Sequence, residues 1–486
     1  MDYFFTSRGV VRRGYESLPG IDLDAVQYTN RDKALKDGIP FFLGSDMRPL
    51  EPHCSFFYEI AKSLQPKSLQ DYTYDLLDLD DFLATLDPPV DLLSASEDDL
   101  IAYRDYCTEY RDEPIGPATW KRRRTTINLF YDWAVEEAKL LERRPYYRKK
   151  NGRDVLSWGT TTELDVRHLT YEQWWFLDRV GLRGLLPDGK ADPKFRSPDA
   201  LRNSCGANLS ITTGMRLREF SSLLDIEVGT PRRDRSVKDV ELQAIAKFSI
   251  PRTVEIQDAT LGEIDWYRRT ERAACIRKAA RNLYRHRDDL FVVDDVDLRR
   301  MKVSGWWYGR RRTYEVKAMK APLRRITVIE GDHGLEAMAL FVGRHGRMIS
   351  GQRWEQVLTA AHARTLRIAA EHHLPLEMPN RIRIHDLRHT FAVYMLEQLT
   401  EIVRAQDAEQ YRLTGRVPAY AADHMSRNPF LTVQRLLGHQ HPKSTMRYLT
   451  YRRKTNSLVT QAVKAWNDKD RTYADLAARQ VGTWGA

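Results

Sequence analysis

The stretch that decides the fold runs His385-Asp386-Leu387-Arg388-His389-Thr390-Phe391-Ala392. His385 and Arg388 are three residues apart, so on a helix both side chains lie on one face. The apolar residues from Phe391 to Leu396 predict that this helix packs against a core. The helix would then hold a histidine and an arginine side by side, a combination suited to binding an anionic group.

A second motif lies downstream, at Leu436-Leu437-Gly438-His439, and Tyr448 follows nine residues after His439. The segment His441–Lys443 contains a proline and predicts a turn. We expect a new helix from about residue 444, which would carry Tyr448.

Two further motifs lie upstream of this helix. The first is Thr213-Gly214-Met215-Arg216, with Glu219 three residues later, where it would orient Arg216 or pack locally. The second is the basic turn Val316-Lys317-Ala318-Met319-Lys320, which we expect between two short strands, at Val316 and at 325–329.

These side chains together supply what the cleavage of a DNA phosphodiester requires. Arg216 and Arg388 could clamp both non-bridging oxygens of the phosphate and offset the charge of the transition state. A lysine on the turn could protonate the departing oxygen. Tyrosine is a weak nucleophile at its ordinary pKa near 10, so nearby histidines would have to accept or orient its proton. The set needs no metal and no other cofactor.

In these four motifs and their order the chain resembles the tyrosine recombinase (lambda-integrase) family, as a divergent member. The resemblance implies catalytic roles for Arg216, Lys317, His385, Arg388 and His439, and it makes Tyr448 the nucleophile. It also implies a mainly α fold with a small antiparallel β-sheet, arranged as a two-domain C-shaped DNA clamp. Four protomers would assemble on two double-stranded recombination sites, with or without accessory proteins.

Some assignments stay open within this set. Lys317 and Lys320 both lie in the basic turn, and we favour Lys317 as the acid because it directly follows the incoming strand. Tyr451 competes with Tyr448, but it would point in another direction. His389 is expected to be supporting or solvent-facing.

The chain departs from the family pattern at two insertions, at about 230–312 and 400–428. The first contains a basic amphipathic stretch from Trp266 to Arg287 and favours contact with DNA or protein, although a solvated decoration would have the same composition. For the second insertion the sequence favours neither reading.

The N-terminal part predicts a separate helical domain. Residues 1–50 are interpreted as an extension, 51–150 as a helical core-binding (SAM-like) domain, 151–165 as a linker, 166–455 as the catalytic domain, and 456–486 as a tail that docks on a neighbour or folds back. In the core-binding domain, helices are expected at 68–86, from Ser96 to about 111, and at 118–141. The basic cluster Lys121, Arg122, Arg123 and Arg124, with Lys320 of the later turn, could contact DNA phosphates, or the cluster could be a solvated helix end.

Composition agrees with a DNA-binding protein. The 486 residues include 77 lysines and arginines against 67 acidic residues, a net charge of +10 that suits a polyanionic partner. The four cysteines are widely spaced and form no metal motif, and no stretch approaches the roughly 20 apolar residues of a membrane span. We expect a cytoplasmic protein without a membrane partner.

The expected function is site-specific recombination of a mobile element, by integration, excision or transposition, through a 3′-phosphotyrosyl intermediate. Two rivals remain. One is a topoisomerase-like or hairpin-end resolving enzyme, which shares the chemistry. The other is a DNA-binding regulator without catalytic activity.

Overall fold

The computed structural model describes residues 2–6, 37–44, 46–149, 152–158, 167–231, 237–414, 428–446 and 448. The chain divides into two compact units, residues 1–163 and 164–486. This division falls inside the segment that we interpreted as a linker. The predicted tail at 456–486, the rival tyrosine Tyr451 and residues 415–427 of the second insertion lie outside the described residues.

The N-terminal unit is helical, with one small antiparallel hairpin. Its elements are the strands β1 (Asp2–Phe5) and β2 (Pro40–Leu43) and the helices α1 (His53–Ile60), α2 (Pro66–Ala84), α3 (Glu97–Asp105) and α4 (Pro117–Glu136). A π-helical turn, Tyr106–Tyr110, continues α3. The predicted helices at 68–86, 96–111 and 118–141 thus exist, with ends shifted by up to five residues.

Residue chemistry explains where these helices begin. Ser96 caps α3, because its hydroxyl accepts from the Asp99 backbone N–H while the Asp99 carboxylate accepts from the Ser96 N–H. Pro66 and Pro117 occupy the first turns of α2 and α4, where no helical N–H partner is lost.

Residues 39–43 belong to this helical unit. Phe42 of β2 is fully buried, with its ring centroid 5.4 Å from that of Phe57, and Ile39 joins the same core. The predicted boundary at residue 50 is therefore too late for this part of the chain, because apolar side chains of β2 complete the core of the helices that follow.

The C-terminal unit contains most of the helices. They are α5 (Tyr171–Phe176), α6 (Ala200–Thr213), α7 (Leu217–Phe220), α8 (Asp225–Val228), α9 (Asp258–Tyr267), α10 (Ala273–Arg285), α11 (Ala321–Arg325), α12 (Gly351–Glu371), α13 (Ile384–Thr414), α14 (Pro429–Leu437) and α15 (Pro442–Met446). In the described part of the chain, no helix is long and apolar enough to cross a bilayer.

The strands of this unit form two sheets. The strands β3 (Val237–Leu242) and β4 (Arg252–Gln257) make an antiparallel hairpin. The strands β5 (Phe291–Asp297), β6 (Lys302–Trp307), β7 (Arg310–Glu315), β8 (Thr327–Gly331) and β9 (Gly334–Ala337) make a five-stranded sheet of order β7-β6-β5-β8-β9.

This larger sheet corrects two sequence predictions. It is not purely antiparallel, because β5 and β8 run parallel. The basic turn also differs in detail. Val316 lies in a 3₁₀ turn after β7, and Arg325 ends the short helix α11, so only the predicted strand around 327–329 is present.

The first predicted insertion, 230–312, is part of the core of the C-terminal unit. It supplies the β3–β4 hairpin, α9, α10, β5, β6 and the start of β7. Within its basic stretch, Arg268 pairs with Asp225 at 2.7 Å and Arg272 donates to the carbonyl oxygen of Ala337 at 2.9 Å. Arg268 and Arg272 therefore hold the unit together, a role that differs both from the favoured contact with DNA or protein and from a solvated decoration.

Candidate active site

Arg388 lies at the centre of the candidate site. It is on the second turn of α13 and is only 1% exposed. Its guanidinium donates to the Gly214 carbonyl oxygen and, at 2.6 Å, to the Leu437 carbonyl oxygen. A buried guanidinium needs such acceptors, because its donors have lost water.

The acceptors of Arg388 come from the two flanking motifs. Gly214 ends α6 in the left-handed conformation, with φ of 64°, and a Cβ at this position would lie 2.4 Å from Cδ1 of Phe391 and 3.2 Å from Cδ2 of Leu437. Glycine is therefore required both for the backbone and for the close approach. The structure thus brings three of the four sequence motifs together at Gly214.

Arg216 lies beside Arg388 and is held by a carboxylate. Its Nη1 donates to Glu219 Oε1 at 3.0 Å, and its backbone N–H donates to Glu219 Oε2 at 2.7 Å. Its Nη2 is 3.4 Å from the Leu437 carbonyl oxygen, which also accepts from Arg388. Glu219 is fully buried, so of the two roles expected for it, orienting Arg216 is the one seen.

A third arginine, Arg252, joins the site, although none of the four sequence motifs contains it. Its Nη2 donates to Glu219 Oε2 at 2.5 Å and its Nη1 donates to the Leu436 carbonyl oxygen at 2.5 Å. The available signal was the alternation along β4, where Val254 and Ile256 are buried and Arg252 lies on their face. Treating residues 230–312 as an insertion concealed that signal.

The three guanidiniums gather at the C-terminal end of α14. Carbonyl groups at a helix C-terminus have no helical partner and carry partial negative charge, so they attract cations. Gly438 then ends α14 with φ of 61°, and a Cβ there would lie 2.7 Å from Cδ of Arg252. The Leu-Gly-His motif therefore provides acceptors and space for the arginines as well as a histidine.

The electrostatics of this cluster favour an anion. Burial and the charges of Arg216 and Arg252 lower the pKa of Arg388 to about 9, while Glu219 and Tyr448 act in the opposite direction. Burial alone would raise the pKa of Glu219, but Arg252, the Arg216 backbone N–H and Arg388 bring it below the ordinary value. Three arginines thus share one carboxylate, and a bound anion such as a phosphodiester would relieve their mutual repulsion.

Tyr448 is placed against the same cluster. It follows α15 rather than lying within the predicted helix, is 2% exposed and packs with Phe391, Val433 and Leu437. Its hydroxyl is 2.9 Å from Nδ1 of His389. His389, for which a supporting or solvent-facing role is expected, is buried and is a hydrogen-bond partner of the tyrosine.

His439 connects Arg388 to Thr445. Its Nε2 is 3.4 Å from Nη2 of Arg388, and its Nδ1 is 2.9 Å from Oγ1 of Thr445. Because a guanidinium only donates, Nε2 accepts, and in the neutral ring the hydrogen on Nδ1 then faces Thr445. The His439 and Tyr448 rings are nearly parallel, with centroids 6.3 Å apart.

His385 lies one helical turn before His389 on α13. It is exposed, and its ring centroid is 4.3 Å from that of His389. His385 therefore lies beside His389, on the side of Tyr448, whereas Arg388, predicted on the same helix face as His385, is buried in the core.

The candidate lysines lie on neighbouring loops. Lys317 is 46% exposed, with Nζ 3.7 Å from Glu241 Oε1 of β3, and Lys320 is the exposed residue before α11. The carbonyl oxygen of Lys317 accepts from the Ala244 N–H, so the predicted basic turn is bonded to the β3–β4 connection. That connection carries another exposed lysine, Lys247, five residues before Arg252. The structure therefore adds a third candidate for the proton donor.

The N-terminal unit is similar to a known protein family. Residues 56–138, from α1 to the end of α4, match the family model described as "Phage integrase, N-terminal SAM-like domain". This part of the chain is therefore similar to an integrase SAM-like domain. The match agrees with the resemblance to tyrosine recombinases, which rests on motifs in the other unit.

Comparisons over the whole chain are weaker. The XerH recombinase with difH DNA is 14% identical, covering 87% of this chain and 86% of that one, with a TM-score of 0.46. The Tn1549 integrase is 11% identical, covering 84% of this chain and 98% of that one, with a TM-score of 0.44. A lambda integrase dimer on a core site is 11% identical, covering 90% of this chain and 85% of that one, with a TM-score of 0.41. No protein of curated function matches the chain.

The N-terminal unit corrects the site prediction for Arg123, whereas DNA contact by the other cations of this cluster stays a prediction. In the basic cluster of α4, Arg123 is buried and bonds to Asp78 and to the Tyr103 hydroxyl. Arg122 pairs with Asp75 at 2.6 Å and Arg124 with Asp154 at 2.8 Å. Each of the three arginines thus pairs with a carboxylate, and among the described residues Lys121 is the member of the cluster that is exposed without an ion pair.

Proposed function

We propose that the protein is a tyrosine-type site-specific DNA recombinase. The observation that carries this proposal is the convergence of Arg216, Arg388 and Arg252 on the end of α14, whose residues Val433 and Leu437 pack with Tyr448. The similarity of residues 56–138 to an integrase SAM-like domain supports this proposal independently.

In the proposed reaction, the Tyr448 oxygen attacks the scissile phosphorus of a DNA strand. A bond forms between this oxygen and phosphorus, and the bond from phosphorus to the 5′-oxygen breaks. The product is a 3′-phosphotyrosine and a free 5′-hydroxyl, which needs one proton from the protein. A 5′-hydroxyl of a second duplex reverses these steps and restores the DNA backbone, so no external energy source is required.

The arginines would supply most of the rate enhancement. Arg216 and Arg388 are oriented by fixed carbonyl and carboxylate acceptors, so little reorganisation is needed when a phosphate arrives. His439 is held by Thr445 and Arg388, and in this position it would help to fix the Arg388 guanidinium at the phosphate. The proton for the leaving oxygen would come from a lysine of the two bonded loops, Lys317, Lys320 or Lys247.

Assembly follows from the same proposal. Exchange between two duplexes requires two cleaved sites, and we infer a tetramer on two double-stranded DNA sites. The closure of the two units around DNA as a C-shaped clamp, and the need for accessory proteins, stay predictions.

A covalent trapping experiment tests the function. The full-length protein is incubated with a pool of randomised duplexes that are nicked, so that the cleaved strand loses a short fragment and cannot be rejoined. We expect a covalent protein–DNA band, a trapped sequence that identifies the site, and a DNA-linked peptide containing Tyr448. The Tyr448→Phe variant should form no adduct, and a Tyr448→Phe protein with full adduct formation would refute the assigned nucleophile.

The same material separates the rival functions. A recombinase should exchange strands between two duplexes that carry the trapped site. A topoisomerase-like enzyme should relax supercoiled plasmid without such exchange. A non-catalytic regulator should bind the DNA without any adduct.

A further inference from the structure

The hydroxyl group of Tyr448 is hydrogen-bonded to His389, a histidine to which the family resemblance assigns no role. The resemblance assigns the catalytic histidines to His385 and His439. The Tyr448 oxygen instead lies 2.9 Å from Nδ1 of His389, and the two ring centroids are 5.5 Å apart. From this geometry we propose that His389 holds the attacking oxygen and accepts its proton. This inference rests on the proposed function.

The surroundings of the pair support a fixed contact. His389 is 7% exposed and Tyr448 is 2% exposed. Phe391, Val433 and Leu437 pack in the same apolar cluster as the tyrosine, which restricts the ring to one position. A hydrogen bond in such a desolvated place is stronger than in water, and its partners do not have to reorganise before the reaction.

The chemistry of the pair is that of a nucleophile and its base. A neutral imidazole nitrogen accepts a proton near neutrality, whereas phenol alone loses it only near pH 10. As the bond between the Tyr448 oxygen and phosphorus forms, the phenolic proton moves to His389 Nδ1. In the rejoining step the same proton returns to the tyrosine as the phosphotyrosine bond breaks, so the proton balance closes over one cycle.

The position of His385 is consistent with a different task. Its exposed ring meets the edge of His389, 4.3 Å between centroids, and stands on the solvent side of the pair. From there it would orient the His389 ring and contact DNA. His439 is likewise committed to Arg388 and Thr445, on the phosphate side.

The test separates attack from departure by changing the leaving group. A nicked duplex with the trapped site is made with sulfur in place of the scissile 5′-oxygen. A thiolate leaves without a proton, so this substrate compensates for loss of a general acid but not for loss of a base on the tyrosine. Rates of adduct formation are measured for both substrates.

Asparagine is the informative replacement at position 389. Its Oδ1 can accept a hydrogen bond near the place of Nδ1, so His389→Asn preserves the contact but cannot take a proton. We expect adduct formation to slow by about 100-fold on both substrates, the lower end of typical general-base contributions. A variant that lacks the lysine acting as general acid should form the adduct slowly only on the substrate with the ordinary 5′-oxygen. His362→Asn, which changes another buried histidine on α12, should behave as wild type.

The following results decide whether His389 accepts the proton. A His389→Asn protein within threefold of wild type overturns the inference, and so does rescue of its defect by the sulfur substrate. Thermal unfolding and DNA binding at wild-type values show that a slow variant is folded. If wild type itself forms no adduct, the proposed function fails; if wild type reacts, Tyr448→Phe does not and His389→Asn equals wild type, only the inference about His389 fails.

Discussion

The Arg252 guanidinium lies 2.5 Å from the Glu219 carboxylate, which also accepts from Arg216 on its other oxygen. One buried acid thus couples an arginine of the Thr-Gly-Met-Arg motif to an arginine of the β3–β4 hairpin. Because Arg388 shares the Leu437 carbonyl with Arg216, removal of this acid would affect all three guanidiniums.

Glu219→Gln should destabilise the C-terminal unit and impair the site. Removing one member of a buried ion pair leaves uncompensated charge and costs about 3–5 kcal/mol. We expect a loss of this order in the free energy of unfolding, measured by denaturant titration at neutral pH. Adduct formation with the trapped DNA should fall together with it.

The effect of Glu219→Gln should depend on pH. The folded-state pKa of Glu219 lies below its ordinary value of 4.5, so its contribution to stability is present above that value and is lost as the pH falls through the lowered pKa. The difference between wild type and variant should therefore shrink in acid. The double variant Glu219→Gln/Arg252→Met should lose less than the sum of the single changes, and full additivity would contradict the coupling.

Gly438→Ala should disturb the arginines beyond its backbone cost. A non-glycine residue at positive φ costs about 1–2 kcal/mol, and a Cβ at 438 would also lie 2.7 Å from Cδ of Arg252. Gly309 is a matched control, because its φ of +68° is similar and no atom lies within 4 Å of its Cβ position. Both variants should lose the stability that belongs to the backbone strain, but only Gly438→Ala should also slow adduct formation. Equal rates of adduct formation for the two variants would mean that Arg252 can shift without affecting the reaction.

Single replacements of Lys317, Lys320 and Lys247 by alanine should identify the proton donor. The variant that lacks the donor should lose about 100-fold or more in adduct formation with ordinary DNA and regain most of it with the sulfur leaving group. The other two should stay within a few-fold of wild type on both substrates. Rescue of none of the three would place the donor elsewhere.

Of the cations of α4, one is expected to contribute to stability and another to DNA binding. Arg123→Met removes a buried partner of Asp78 and should lower the thermal stability of the SAM-like domain. Lys121→Ala should leave stability unchanged and weaken DNA binding slightly, with a smaller salt dependence of the affinity. Binding titrations at several salt concentrations and thermal unfolding measure the two effects. An Arg123→Met protein of wild-type stability would contradict its internal role.

Local sequence patterns predict much of the helical part of the fold. The helices α2, α3 and α4 follow from apolar spacing, from prolines at their starts and from the Ser96 cap, all of which act within a few residues. The five-stranded sheet could not be assigned in this way. Its parallel pair, β5 with β8, joins segments more than thirty residues apart, and strand partners are chosen by the core they share.

The amino-acid sequence by itself determined the order and identity of the motifs around Arg216, Arg388, His439 and Tyr448, because each depends on a short spacing. Only the tertiary structure decided which groups hold one another. It brought Arg252 into the arginine cluster, put Arg123 in a core instead of on a DNA-binding face, and placed the Tyr448 hydroxyl against His389. Those outcomes depend on which buried donors meet which acceptors across long stretches of chain, and that pairing is set by packing, since a buried charge must find a partner wherever the fold provides one.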